Sequence, residues 1–305
     1  MSTHNLIAIL APALLAMSPG KAFRLEYRFN LATIAGDIRT SAASLNVDRE
    51  TQEVFVVGHG QVRVFNAAGM EVFRFGDDAA LGTIYGVAAL ENGDLLVVSY
   101  RDGKPGLLRC NFRGEIIEAV EFRGVPEAFR NFGPNRIAYQ GGRVYLADET
   151  SMRVLLVDPG GDYLASYDLA EIIGEGKKRE DLGLNGFGVD QQDGSMLFTV
   201  APLFRAFVVS LSGQVRSFGR PGSAPGHFGI VAGIGADPGR YYVVDNLKGA
   251  VIVFDRDLKL VGQFGARGSR KDQLQGPTSV AVAGDRVFVS QNGARGVAVY
   301  QVREQ

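Results

Sequence analysis

Short apolar stretches recur along this chain at nearly even intervals, each with the alternation of a half-buried β-strand. Val54-Phe55-Val56-Val57 is followed across a glycine turn by Val62-Arg63-Val64-Phe65-Asn66. The phrase returns as Val144-Tyr145-Leu146-Ala147-Asp148 with Val154-Leu155-Leu156-Val157-Asp158, and as Tyr241-Tyr242-Val243-Val244-Asp245 with Val251-Ile252-Val253-Phe254-Asp255. The second strand of each copy ends at Gly58, Ser99, Asp148, Val200, Asp245 and Gln291, a spacing of 41 to 52 residues. That is the length of four short strands with their turns, the repeat unit of a β-propeller blade.

A fourth strand follows in five copies, at residues 71–75, 115–122, 163–169, 214–218 and 259–264. The sixth copy ends after Val297-Ala298-Val299-Tyr300-Gln301, and Arg24-Leu25-Glu26-Tyr27-Arg28-Phe29 supplies the missing pattern. Pairing the two ends closes a ring and removes sheet edges. The sequence therefore predicts an all-β, six-bladed β-propeller of four-stranded blades over residues 23–305, the N-terminal strand completing the last blade. One helical excursion is expected between the third and fourth blades, over residues 169–182, with mixed charges that read as a solvated surface.

Composition narrows the picture. Forty glycines against eleven prolines suit a chain of tight turns, and 46% hydrophobic residues supply a core. A formal net charge of −1 gives no global pull toward nucleic acid or an anionic membrane. Cys110 is the only cysteine, so no intrachain disulfide or thiolate cluster forms, and its apolar neighbours read it as a core side chain. Residues 6–17 form an apolar run too short to span a bilayer, ending in the small-x-small pattern of Gly20 and Ala22. No Lys or Arg precedes the run. Residues 1–22 are expected to be a cleavable signal peptide and the protein secreted or periplasmic; a packed N-terminal helix on a cytoplasmic protein is the alternative.

The segments between blades carry a more specific signal. Phe218-Gly219-Arg220-Pro221-Gly222-Ser223-Ala224-Pro225-Gly226-His227-Phe228 resembles the inter-blade phrase of NHL-repeat proteins, as does the stretch from Phe264-Gly265 to Gln275-Gly276-Pro277. The resemblance runs from about residue 23 to 302. It implies the six-bladed fold and not one activity, since NHL propellers include enzymes, RNA binders and protein-binding scaffolds.

In such a ring, the loops that lead into each inner strand share a face with those between second and third strands. The inner strands begin at Ala43, Tyr85, Asn135, Asn185, Ala232 and Thr278; the other loops bring His59, Tyr100, Arg101, Asp148, Glu149, Arg205, Asp245, Asn246 and Asn292. Arg136 is the outlier, because the matching positions are Ser44, Gly86, Gly186, Gly233 and Ser279. A lone arginine among small residues should pair with an acid or meet an anion. The candidate ligand-binding set is Asn135, Arg136, Asn185, Asp148, Glu149, Asp245, Asn246, Asn292, Arg205 and Arg101. Asn135 and Asn185 are also the candidate Ca²⁺ ligands, through their side-chain oxygens. The competing reading has the aspartates capping their own loops and the asparagines serving strand starts.

Complete catalytic sets are missing from the residue inventory. Peptide-amidating lyases, which resemble this fold, hold zinc through several histidines, whereas only His59 and His227 follow residue 22. Gluconolactonase-like propellers place a glutamate on the first inner strand, where this chain has Ala43-Ser44-Leu45. No phosphate loop, dinucleotide fingerprint or nucleophile elbow occurs. Mixed charge and the lack of Trp argue against RNA. The expected function is binding of a protein, peptide or glycan partner without a cofactor and without catalytic residues. The alternative is a Ca-dependent, lactonase-like hydrolase or lyase at the channel mouth.

Overall fold

The computed structural model describes residues 23–77 and 79–304. Six antiparallel four-stranded sheets stand around a central axis, each inner strand touching its neighbours on both sides and the sixth touching the first. The inner strands are Ser44–Val47, Thr83–Ala89, Arg136–Gln140, Gly186–Val189, Val231–Ala236 and Pro277–Ala283. Four-strand repetition and six blades were both legible beforehand, and the outer strands fall within a residue or two of their expected places.

Closure is as the pattern implied. Phe23–Asn30 pairs antiparallel with Val297–Glu304, in a register that sets Leu25 opposite Val302 and Tyr27 opposite Tyr300. The Tyr27 and Tyr300 rings meet edge to face, 5.8 Å apart. Residues 1–22, the expected signal peptide, lie outside the described residues. No helix among the described residues is long and apolar enough to cross a membrane.

Alternation puts both faces of each blade against its neighbours, so the core is a series of apolar layers between blades. Phe55, Val57 and Val64 of blade one meet Val87, Val97 and Cys110 of blade two. Cys110 is fully buried and its thiol is pushed up to about 11 by desolvation, as befits a packed side chain. At the closing seam, Val54, Val56 and Phe65 meet Phe288, Val297 and Val299.

The aromatic-glycine phrases have a mechanical reason. Gly219 adopts φ +92°, and a Cβ there would run into the ring of Phe228, which the chain folds back to bury beneath it. Short parallel bridges, Pro221 with Phe228 and Arg267 with Leu274, close these loops.

Two features differ from expectation. The helical excursion is only Leu169–Ile173, followed by a 3₁₀ turn at Arg179–Asp181. Its charged residues Glu171, Lys177, Lys178, Glu180 and Asp181 are exposed, as the mixed charges implied, while Leu169 is buried and Ile172, Ile173 and Leu182 pack on the core between blades three and four. The second is a small hairpin, Ala32–Thr33 with Gly36–Asp37, standing in the connection from blade six to blade one. Ile34 at its tip is fully exposed.

Candidate functional site

Small residues ring the channel because the inner strands crowd one another. A Cβ on Gly233 would sit 2.6 Å from Ser279 Cα, and one on Gly186 would sit 2.7 Å from Gly233 Cα. The loop-face end of the channel is a cavity of about 190 Å³ whose wall includes Ser44, Arg136, Gly186, Gly233 and Ser279. These are equivalent positions in five blades, the alignment read from the repeat. Arg136 is the one long side chain among them.

Its charge is already engaged. Arg136 Nη2 lies 2.9 Å from Glu149 Oε1, and Asn135 Nδ2 donates to Glu149 Oε2 at 3.1 Å. Asn135 Oδ1 in turn accepts the Glu149 amide at 3.1 Å. Burial nevertheless holds the Glu149 carboxyl above its ordinary value, Arg136 and Asn135 opposing that shift without cancelling it. Asn185 shares the cavity, and its Oδ1 accepts the Ala201 amide at 2.7 Å.

The aspartates hold their own loops. Asp148 Oδ1 accepts the amides of Thr150 and Ser151, and Oδ2 the Ser151 hydroxyl at 2.7 Å. Asp245, completely buried, accepts the amides of Gly229, Ile230 and Lys248. Both are loop-closing turns of the kind Asp favours. Arg205 pairs with Glu175 of the excursion, and Arg101 lies on the surface 3.3 Å from Asp102. Among the described residues no three of His, Cys, Asp or Glu gather into a metal-binding group. The oxygens of Asn135 and Asn185 that a cation would need are those already bonded to backbone amides.

Asn246 and Asn292 behave differently. Asn246 Nδ2 donates to Pro277 O at 3.0 Å, tying blade five to blade six. Beside it opens a groove of about 340 Å³ lined by Leu247, Arg267, Gln275 and Asn292. Leu247 and, close by in the chain loops, Ile230 are each about half exposed, at 51% and 45%.

Sequence reasoning missed a network at the opposite end of the channel. Asp190, buried in blade four, pairs with Arg256 of blade five, whose guanidinium also stacks 4.6 Å from the Tyr241 ring centre. Arg49, from blade one, reaches across to Ala236 O and faces Asp190 and Asp237; burial holds its pKa below the usual arginine value. Nothing local marks these residues, which come together from positions 49, 190, 237 and 256.

No protein-family model matches the chain, and no curated protein matches it. The fold has many solved counterparts. Virginiamycin B lyase from Staphylococcus aureus superposes with a TM-score of 0.61 at 10% identity, over 93% of this chain and all of that one. A streptogramin B lyase gives 0.57 at 13% identity, over 92% of this chain and 98% of its own. The PQQ-bound aldose sugar dehydrogenase from Streptomyces coelicolor gives 0.59 at 12% identity, over 94% of this chain and 100% of that one. At such identities the likeness is one of architecture, and it joins this six-bladed ring to propellers of differing chemistry.

Proposed function

We propose that the chain is a recognition propeller that holds a peptide segment of a partner protein in the loop-face groove between blades five and six. One observation carries this reading: the acids and amides at the channel mouth are bonded to their own framework, while the groove's recognition groups are not. The side chains of Arg267, Gln275 and Asn292 make no hydrogen bond or ion pair among the described residues, and Leu247 stands exposed beside them. Amide side chains suit an extended backbone, and an exposed leucine next to an arginine suits a mixed apolar and acidic segment better than a sugar. The reading is tested by capture from the native host: a stoichiometric partner should bind wild type and Arg136→Gln but not Leu247→Asp. Retention by Leu247→Asp would sink it.

A second reading is a hydrolase or lyase at the channel mouth. The raised Glu149 carboxyl supports it, being a base candidate if Arg136 swings toward substrate. The fold likeness to the two lyases is compatible with it. Calcium separates the readings: a Ca²⁺-dependent rise in melting temperature that Asn185→Ala abolishes would favour the enzyme. Either activity is assigned outside the cytoplasm, on the reading of residues 1–22 as a leader. Intact mass of protein from the native host should then begin near Phe23, and a full-length mass would remove that assignment.

A further inference from the structure

A cavity larger than both the channel-mouth cavity and the groove lies elsewhere in the fold. It is a cleft of about 760 Å³ at the closing seam, between the hairpin arm and the face of blade one. Thr33, Asp37 and Arg39 come from the arm side; His59, Arg63 and Arg74 come from blade one. It arises because the arm leaves the seam here, uncovering the sheet face on which Val56, Arg63 and Arg74 lie side by side in register.

Its charge is unusual. Arg63 and Arg74 are directly opposed on adjacent strands, an arrangement that costs stability unless an anion lies between them. Glu71 answers only Arg63, at 2.5 Å. The side chains of Arg74 and Arg39 make no ion pair or hydrogen bond among the described residues, and His59, held at φ +55° in the tight turn of blade one, presents its exposed imidazole at the rim. The floor is kept open by Gly58, where a Cβ would come 2.7 Å from Thr40 Oγ1. That hydroxyl is buried and finds no partner among the described residues.

We propose that this cleft is a second ligand site, which takes the phosphate or sulfate ester of a sugar-sized molecule. Arg39 and Arg74 grip the ester oxyanion from the two walls, with His59 as a third donor; guanidinium forks suit phosphate and sulfate oxygens. Asp37 and Glu71 line the same cleft and accept hydrogen bonds from hydroxyls on the rest of the ligand, while repelling a polyanion such as a nucleic-acid strand. The cavity volume lies in the range of small-molecule sites. The site is independent of the groove between blades five and six.

Calorimetric titration at constant ionic strength tests it, with glucose 6-phosphate, glucose 6-sulfate, inorganic phosphate and glucose as separate probes. Saturable one-to-one binding of an ester, at least about tenfold tighter than inorganic phosphate and absent for glucose, is the expected result. Equal affinity for ester and inorganic phosphate would overturn the sugar-ester assignment. Arg39→Gln with Arg74→Gln should weaken ester binding by about a hundredfold, both side chains being exposed and outside the core. Histidine-ring NMR gives a second readout, because the chain has three histidines: ester should shift His59 and leave His227 unmoved. No saturable ester binding, undiminished binding by the double variant, or a His227 response without His59 would each overturn the site.

Discussion

Asp168 shows how single side chains are used in this ring. It ends the outer strand of blade three, caps the short helix by accepting the Glu171 amide at 3.2 Å, and receives Arg179 at 2.6 Å and Arg153 at 3.3 Å. Burial alone would raise its carboxyl, but these donors outweigh burial and hold it below the ordinary carboxylate range. A depressed acid stabilises the fold above its unfolded pKa and loses that contribution as pH falls through its folded pKa. Asp168→Asn keeps a cap acceptor but loses the charge, and should therefore cost about 1 kcal/mol at pH 7, the worth of a charge-assisted hydrogen bond to the arginines. The deficit relative to wild type should be smaller at pH 3, below the ordinary carboxylate value, than at pH 7, and vanish only below the depressed folded pKa. Urea denaturation at the two pH values measures this; an equal deficit at both would refute the electrostatic account. The same scale limits what could be read beforehand. Arg136 stood out because a repeat exposes an odd residue among its equivalents. Its acid, Glu149, was named as a neighbour of the same face, yet the bond between them needed the fold. That Arg39 and Arg74 line one cleft was invisible, since no periodicity links a loop residue to the outer strand of the next blade.

At the scale of strands, alternation and spacing carried nearly all the information, because every blade solves the same packing problem with the same period. The excursion after Leu169 and the hairpin at residues 32–37 escaped full description, since each lies between repeats and follows no period. The glycines of the inner strands were visible as small residues, but their reason is the close approach of neighbouring backbones. Gly233→Ala should cost about 1–3 kcal/mol, as overpacking against main chain that cannot move aside. Gly262→Ala, on the outer strand of the same blade with open space above it, should change stability by less than about 0.5 kcal/mol. Thermal or urea melts of the pair decide the matter: equal effects would mean the inner strands are not as tightly gathered as their spacing implies.

The ring as a whole depends on one non-local sheet. Five blades are built from consecutive strands and close on themselves locally, while the sixth joins residues at opposite ends of the chain in seven opposed pairs. Peeling Phe23–Asn30 from Val297–Glu304 separates the two ends of the chain, and it would expose the apolar layer of Leu25, Tyr27 and Tyr300 and an unpaired strand edge. A covalent bond across that pair should act on the entire molecule. Glu26 and Gln301 are directly opposed. Such residues in an antiparallel pair stand about 4.5–5.5 Å apart at Cα, within disulfide range. Cys110 is buried two blades away and offers no competing thiol in the folded state. Glu26→Cys with Gln301→Cys should oxidise readily and close a loop of nearly the whole chain. The unfolded state is then restricted by an amount that chain-entropy reasoning puts near 5 kcal/mol, strain in the bond subtracting from it. Oxidised and reduced forms of the one variant should differ by several kcal/mol in urea, and the oxidised form should resist proteolysis most strongly. If the terminal strands were merely docked, with the other five blades cohering alone, oxidation would move only an early, partial transition and leave the main one in place.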